Sequence, residues 1–462
     1  MPRKEAQFWQ LVGPGAILVG LSIGAGEIVV WPRIAAQYGA TMVWAAVVGV
    51  FIQLWVNLEV GRWTIVTGES VFAGFSRIWR GFAPVFVAFT VFGWIAPGWA
   101  RVSGSALKAL LVGPKGFGSD AFWTAVTFAF VALLLFGPKL AYHSVERTVE
   151  LLVALVVVGL VTVAVAVGGR EQWAELGRGV LNFGYREPAM SVRELFVAMV
   201  FAGAGGTANL FYTFYLRDKH IGMGARMPSM HNPLRGRVEK VPTTGYIYDD
   251  TDPENALRFR AWFRHVCADV TVFFWFLNTV TILLFIFGAL CVLHPLGRTL
   301  NEGTLIYDEA EVLASVWGPV GRALFLIVGV ATLFSTQLTL VDGCARSIAD
   351  IVYFNIPAAQ KRDVSWWYLL VAGAWIVVGT GLTWMLENYV KDLGFLFNAA
   401  LVGGFAMAVY VPLLLYMNRH LLPRSARPGA VSSLFMVVAT LVYVGFAAAS
   451  LLWQFAPRPS GG

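Results

Sequence analysis

The chain has 462 residues, of which 13% are charged, 58% apolar and 14% aromatic, and its formal net charge is +7. A soluble domain carries roughly 25% charged residues, so a water-soluble globular protein is excluded. The basic residues punctuate apolar runs instead of forming one continuous face with exposed stacking side chains, and this excludes a nucleic-acid reader.

A helix needs roughly 20 apolar residues to cross the hydrocarbon layer. Runs of that kind fall at 13–38, 41–66, 84–112, 121–138, 148–168, 191–216, 266–292, 316–344, 366–385, 392–416 and 431–455, here segments 1 to 11. About eleven crossings make an all-α polytopic membrane protein. Segment 1 follows Arg3 and Lys4 but has no clear cleavage site, so it reads as a span and not as a signal peptide. Segments 1, 6 and 8 are less uniformly apolar than a lipid-facing helix and are expected to face the protein interior.

Arg3, Lys4, Arg77, Arg80, Lys139, Arg147, the run from Arg217 to Arg264, Lys361, Arg362, Arg419, Arg424 and Arg427 all fall on one side of this arrangement. The opposite loops hold the smaller set of Lys115, Arg170, Arg178, Arg186, Arg193, Arg298, Lys391 and Arg458. The positive-inside rule then puts the N-terminus in the cytoplasm and the C-terminus outside the cell, in the plasma (inner) membrane. The cytoplasmic loop 217–262 is long, polar and mixed in charge, with no catalytic signature.

Segment 1 has Ser22-Ile23-Gly24-Ala25-Gly26-Glu27 at its centre, followed by Pro32. Segment 6 has Gly203, Gly205, Gly206, Thr207 and Asn209 at its centre, so a Gly-Ala-Gly recurs five segments later. Five is odd, so a second unit of five enters from the other side. Inverted repeats whose first helices are broken build midplane substrate sites in many secondary transporters. The repeats expected are 13–168 and 191–416, with 431–455 peripheral, and segments 24–26 and 203–205 non-helical across a central cavity. Small residues also serve close helix packing, which is the competing reading of each glycine pair.

Glu27 is the most informative side chain, because an intramembrane carboxylate is costly unless protonated, paired or hydrated. An ion pair with Arg33 or Arg101 is its structural alternative. Thr207 and Asn209 offer oxygens to a ligand, or act as polar glue between helices. Glu59 and Arg62, three apart on one helix face, read first as a local pair. Asp269 and Asn278 on segment 7, with Gln337, Thr339 and Asp342 on segment 8, extend the polar lining. Candidates for gating or proton coupling are Glu27, Glu59, Arg62, Arg101, Asp269, Gln337 and Asp342. Cys267, Cys291 and Cys344 are unpaired in spacing and read as buried thiols. No zinc cluster, nucleotide-binding loop or nucleophile elbow occurs in a suitable context. The chain is thus expected to be neither an enzyme nor an ATP-driven pump, and to need no cofactor.

At this level the chain resembles the Nramp divalent-metal transporters across nearly its whole length. The resemblance lies in GPGAILVGLSIGAGEI (13–28), GRWTIVTGES (61–70), RTVELLVAL (147–155), GTANLFYTF (206–214) and STQLTLVDG (335–343). It implies a LeuT-like fold of five plus five inverted helices, often with an eleventh, and proton-coupled metal import. In that resemblance the family's metal-binding Asp falls on Gly24 and its Asn on Glu27. Its Met and His fall on Gly206 and Ala208, while Asn209 is retained. Loss of the thioether argues against a soft transition metal.

The substrate site expected is Gly24, Ala25, Gly26, Glu27, Gly203, Gly206, Thr207 and Asn209. Glu27 and Asn209, with backbone carbonyls, suit a hard cation such as Mg²⁺ over Mn²⁺ or Fe²⁺. Small residues equally enlarge the site for an organic solute. The sequence therefore reads as a secondary active transporter, with proton-coupled divalent-cation uptake by alternating access placed first. A small organic solute at the broken helices is the alternative, and a non-transporting receptor or structural membrane protein is the alternative of another class. Its partners are the bilayer and the transported species, with no nucleic acid; the pattern sets no oligomeric state.

Overall fold

The computed structural model describes residues 1–4, 14–15, 17, 20, 23–24, 26–137, 154–155, 157–228, 241–297, 304–389 and 392–455. Every regular element among them is helical. Segment 1 emerges as a π-helical turn, Gly26–Val30, that continues as the α-helix Trp31–Tyr38. Segment 2 is Val43–Thr67, and segment 3 is two helices, Phe82–Trp94 and Gly98–Leu111. Segment 4 is Asp120–Phe136, and the described part of segment 5 includes Val157–Ala166. Segment 6 is Val192–Val200, an irregular stretch, the 3₁₀ turn Gly206–Phe211 and the short helix Tyr212–Asp218. Segment 7 runs from Pro253–Asp269 through a second π-helical stretch, Val270–Leu277, into Asn278–Val292. A five-residue connector helix, Leu305–Glu309, precedes segment 8, Glu311–Asn355, which kinks at Gly318 ahead of Pro319. Segments 9, 10 and 11 are Val364–Leu386, Asp392–His420 and Ala430–Phe455.

Seven of the described helices are long and apolar enough to cross a bilayer. Helix ends carry ordinary capping chemistry. Ser70, Ser119 and Ser191 accept the free amides of Ala73, Phe122 and Glu194, and Asp252 caps a helix that opens on Pro253. Gly68 closes segment 2 in the left-handed conformation, φ +72°.

Burial separates core from periphery. The apolar window of Val43–Thr67 is 78% buried, against 22% for Val364–Leu386 and 28% for Ala430–Leu452. Segment 2 is therefore the central post, although most of its residues are apolar. Lipid and protein core are equally apolar, so hydropathy alone does not tell them apart. Segments 9 and 11 spend most of their surface on the outside.

One face of the bundle is tied by polar contacts. The Met1 amino group donates to Asn255 at 2.7 Å, Arg258 donates to the Met1 carbonyl at 2.8 Å, and the Trp262 indole donates to the Pro2 carbonyl at 3.0 Å. The hydroxyls of Tyr248 and Ser425 meet at 2.9 Å, which brings the connector between segments 10 and 11 to the same face. These are all parts that the basic residues assign to one side.

The first Gly-Ala-Gly differs from expectation. Gly24 lies in a turn, but its carbonyl still accepts the Ile28 amide at 3.1 Å, and Gly26 and Glu27 already belong to the π-helical turn. The helix is widened there, not fully unwound. Ala25 lies outside the described residues. The second, 203–205, is irregular as expected, with Gly205 at φ +71° and Gly206 at +48°.

Candidate functional site

Glu27 opens the π-helical turn and is fully buried. π-turns put an extra residue into one helical turn and recur at functional sites. Neither carboxylate oxygen has a hydrogen-bond partner among the described residues. The Thr281 hydroxyl stands beside it but donates to the carbonyls of Leu277 and Asn278, at 3.0 and 3.1 Å. The two arginines that could have neutralised it are engaged elsewhere. Arg33 faces Glu194 at 3.8 Å, and Arg101 lies over the Phe395 ring at 5.3 Å.

The glycines around Glu27 are there for close approach. A Cβ on Gly26 would run into the Phe201 carbonyl of segment 6, and one on Gly24 would run into the Thr336 hydroxyl of segment 8. The π-turn thus sits directly on the break of segment 6, and the two broken segments are brought together. At the break, a Cβ on Gly206 would stand 2.8 Å from the Gly403 Cα and 3.3 Å from the Trp94 ring. Gly24 and Gly206 are filled in by neighbours, so the small residues here buy proximity between helices, not room.

The break of segment 6 is held by side chains that sequence reasoning missed. Gln53, fully buried on segment 2, donates to the carbonyls of Met199 (3.3 Å) and Val200 (3.0 Å). Its oxygen accepts the Gly205 amide at 3.1 Å and the Asn209 amide at 3.0 Å. Tyr410, on segment 10, donates to the Gly206 carbonyl at 2.9 Å and accepts a longer bond from Asn209 at 3.3 Å. Asn278 donates to the Ala202 carbonyl at 3.0 Å, and the Trp94 indole donates to the Thr207 hydroxyl at 2.8 Å. Gly203 is packed against the Gln53 oxygen. Buried backbone groups demand partners, and here segments 2, 7 and 10 supply them. Gln53 interrupts the otherwise apolar Val50–Val56 stretch, a signal that could have found it; nothing in the sequence marks Tyr410 or Gly403.

The remaining expected residues divide between this centre and its flanks. Asn209 commits its amide nitrogen to the brace while its oxygen is buried without a partner. Gln337 is buried on segment 8 with both amide atoms unpartnered. Asp269 accepts the Gly15 amide at 2.7 Å and the Tyr212 hydroxyl at 3.4 Å, tying the start of segment 1 to segment 6. Glu59 and Arg62 form the local pair, at 2.9 Å, but Glu59 also takes the Asn418 amide (2.7 Å) and the Ser432 hydroxyl (2.5 Å). That knot joins segments 2, 10 and 11. Asp342 accepts the Tyr368 hydroxyl at 2.7 Å and pairs with Arg346 at 2.9 Å, and Arg346 also reaches Asp218 at 2.6 Å. Thr339 donates back to its own helix. Among the described residues, no three His, Cys, Asp or Glu side chains gather into a metal cage.

A bundle of long apolar helices built around two adjoining helix interruptions, one carrying a buried carboxylate, defines a membrane transport protein of LeuT-like fold and not an enzyme. The chain belongs to the Nramp family: the model for natural resistance-associated macrophage protein-like sequences matches residues 15–453. Among solved structures, a mutant of the manganese transporter of Eremococcus coleocola is similar, at 14% identity and TM-score 0.67, over 100% of this chain and 91% of that one. More distant likenesses are MhsT in complex with L-phenylalanine (13% identity, TM-score 0.52, 98% and 99% coverage) and MHP1, a nucleobase-cation-symport-1 family transporter with bromovinylhydantoin bound (14%, 0.54, 98% and 91%). No curated protein matches the chain.

Proposed function

We propose that this chain is a secondary transporter of a divalent cation, with Glu27 as its acidic ligand and the two helix interruptions as its site. The observation that carries this reading is the Glu27 carboxylate itself, fully buried, without a hydrogen-bond partner among the described residues, and set on the break of segment 6. An uncompensated buried charge costs several kcal/mol. A cation or a proton removes that cost, so the site is built to take up positive charge. The similarity to a manganese transporter supports a divalent cation.

A hard ion such as Mg²⁺ fits the donors better than Mn²⁺ or Fe²⁺. Glu27, the Asn209 oxygen and the Gln337 oxygen are all oxygen ligands, and Mg²⁺ keeps several waters. Glycine at 24 and 206 leaves no soft sulfur. The close packing at both glycines counts against an organic solute. In this reading the protein spans the plasma membrane about eleven times as two inverted five-helix units, 13–168 and 191–416, with 431–455 peripheral. The N-terminus is cytoplasmic, the C-terminus is external, and the site is reached by alternating access with proton coupling.

Purified protein in liposomes tests this. Uptake of Mg²⁺ and Mn²⁺ is measured with and without a pH gradient, for wild type and Glu27→Gln. The expected result is cation uptake that is strongly reduced by Glu27→Gln, with Mg²⁺ preferred. Absence of uptake for both ions, or equal uptake by the two proteins, refutes it.

A further inference from the structure

A second buried carboxylate lies outside the centre just described. Glu309 ends the connector helix Leu305–Glu309, between segments 7 and 8, on the external face under the orientation proposed above. It is 1% exposed, and neither oxygen has a partner among the described residues. The connector packs against Gly98–Leu111, against Glu311–Asn355 and against the π-turn that carries Glu27. A connector carboxylate normally faces water; this one is turned into the protein.

The charges around it are accounted for. On Gly98–Leu111, Arg101 lies over Phe395 and Lys108 pairs with Asp120 at 3.1 Å. On segment 8, Arg322 pairs with Glu311. Asp308, next in the chain, accepts the Thr304 hydroxyl at 2.6 Å. Glu27 is the acid of the π-turn. Among the described residues the countercharge within electrostatic reach of Glu309 is Arg33, whose guanidinium is held by Glu194 at 3.8 Å, a long and loose contact.

We propose that Glu309 is a proton-binding site at the outer end of the transport path. It holds a proton while the outer path is closed, and takes Arg33 from Glu194 when the path opens. The inference rests on the transporter reading above. A proton fits better than a metal ion, because a hard divalent ion requires about six oxygens and the connector offers buried Leu305 and Ile306 beside one buried carboxylate. Burial pushes the Glu309 carboxyl well above the usual carboxylate range; Asp308 adds to the shift and Arg33 opposes it. On opening, the proton passes from the Glu309 carboxyl to a water on the external side. Arg33 compensates the carboxylate left behind, and Glu194, with its side chain 21% exposed, is left to the solvent.

Two measurements on the full-length protein test this, with Glu309→Gln as the variant because it keeps the size and neutrality of the protonated acid. Infrared spectroscopy of the purified protein at neutral pH is expected to show a protonated-carboxyl component that is missing in Glu309→Gln and present in Glu27→Gln. A spectrum unchanged by Glu309→Gln overturns the proposal. In liposomes, wild-type Mg²⁺ uptake is expected to respond to external pH and Glu309→Gln to lose that response; a variant that keeps it also overturns the proposal. If the wild type transports neither Mg²⁺ nor Mn²⁺, the transporter reading fails on its own account, and the infrared band alone decides whether Glu309 binds a proton.

Discussion

Restoring the family's thioether at position 206 should damage the protein. Gly206 has φ +48°, in the left-handed region, where a side chain costs about 1–2 kcal/mol. A Cβ there would stand 2.8 Å from the Gly403 Cα. That neighbour is backbone and cannot rotate away, so overpacking adds about 1–3 kcal/mol. Gly206→Met is therefore expected to lose about 2–5 kcal/mol, read as a lowered melting midpoint in detergent. Gly206→Ala should show most of the same loss, since the Cβ carries most of the conflict. Neither variant should gain Mn²⁺ affinity by calorimetry. A Gly206→Met protein that melts with the wild type, or binds Mn²⁺ tightly, refutes the argument and shows that the break repacks freely around a side chain.

Other outcomes follow from the polar knots. Glu59→Leu leaves the buried Arg62 without its carboxylate and should cost about 3–5 kcal/mol, while the Glu59→Leu/Arg62→Leu double variant should recover much of that in the same melting assay. Gln53→Ala orphans the Gly205 amide and the Val200 carbonyl, each worth about 1–3 kcal/mol when left unsatisfied, while the Met199 carbonyl keeps a backbone partner in the Ala202 amide. It should lower both the melting midpoint and the maximal uptake rate; a variant that loses neither would show that water replaces Gln53.

How much of this was legible depended on whether the signal was local. Glycine pairs inside an apolar run mark a weakened helix, and the irregular stretch at 203–205 is where the sequence placed it. In segment 1 the outcome is divided: Gly24 lies in a turn as expected, while Gly26 already belongs to a π-helical turn. Glu27 was legible as a lone acid in an apolar run. Gln53 was partly so, being a polar residue in a similar run. Tyr410 and Gly403 act through contacts with the 200–209 stretch across some 200 positions, which no local pattern encodes. Glu309 was invisible for the opposite reason: in a polar connector, nothing announces that one carboxylate is turned inward.

The two interruptions do different work. At segment 6 the carbonyls of Met199, Val200, Ala202 and Gly206 are each occupied by Gln53, Asn278 or Tyr410. A carbonyl that already accepts a side-chain bond is a weaker offer to an ion than a free one. At segment 1 the opposite holds, since neither Glu27 carboxylate oxygen has a partner among the described residues. Recognition by this pair of broken helices is therefore asymmetric: segment 6 supplies a braced, nearly saturated wall, and segment 1 supplies the charge. In the proposed reading, a cation between them would meet one carboxylate and the amide oxygens of Asn209 and Gln337, which have no partner among the described residues. With so few protein donors, it completes its shell with its own water. That favours an ion that gives up its hydration reluctantly, as Mg²⁺ does, over one that needs to be stripped and caged.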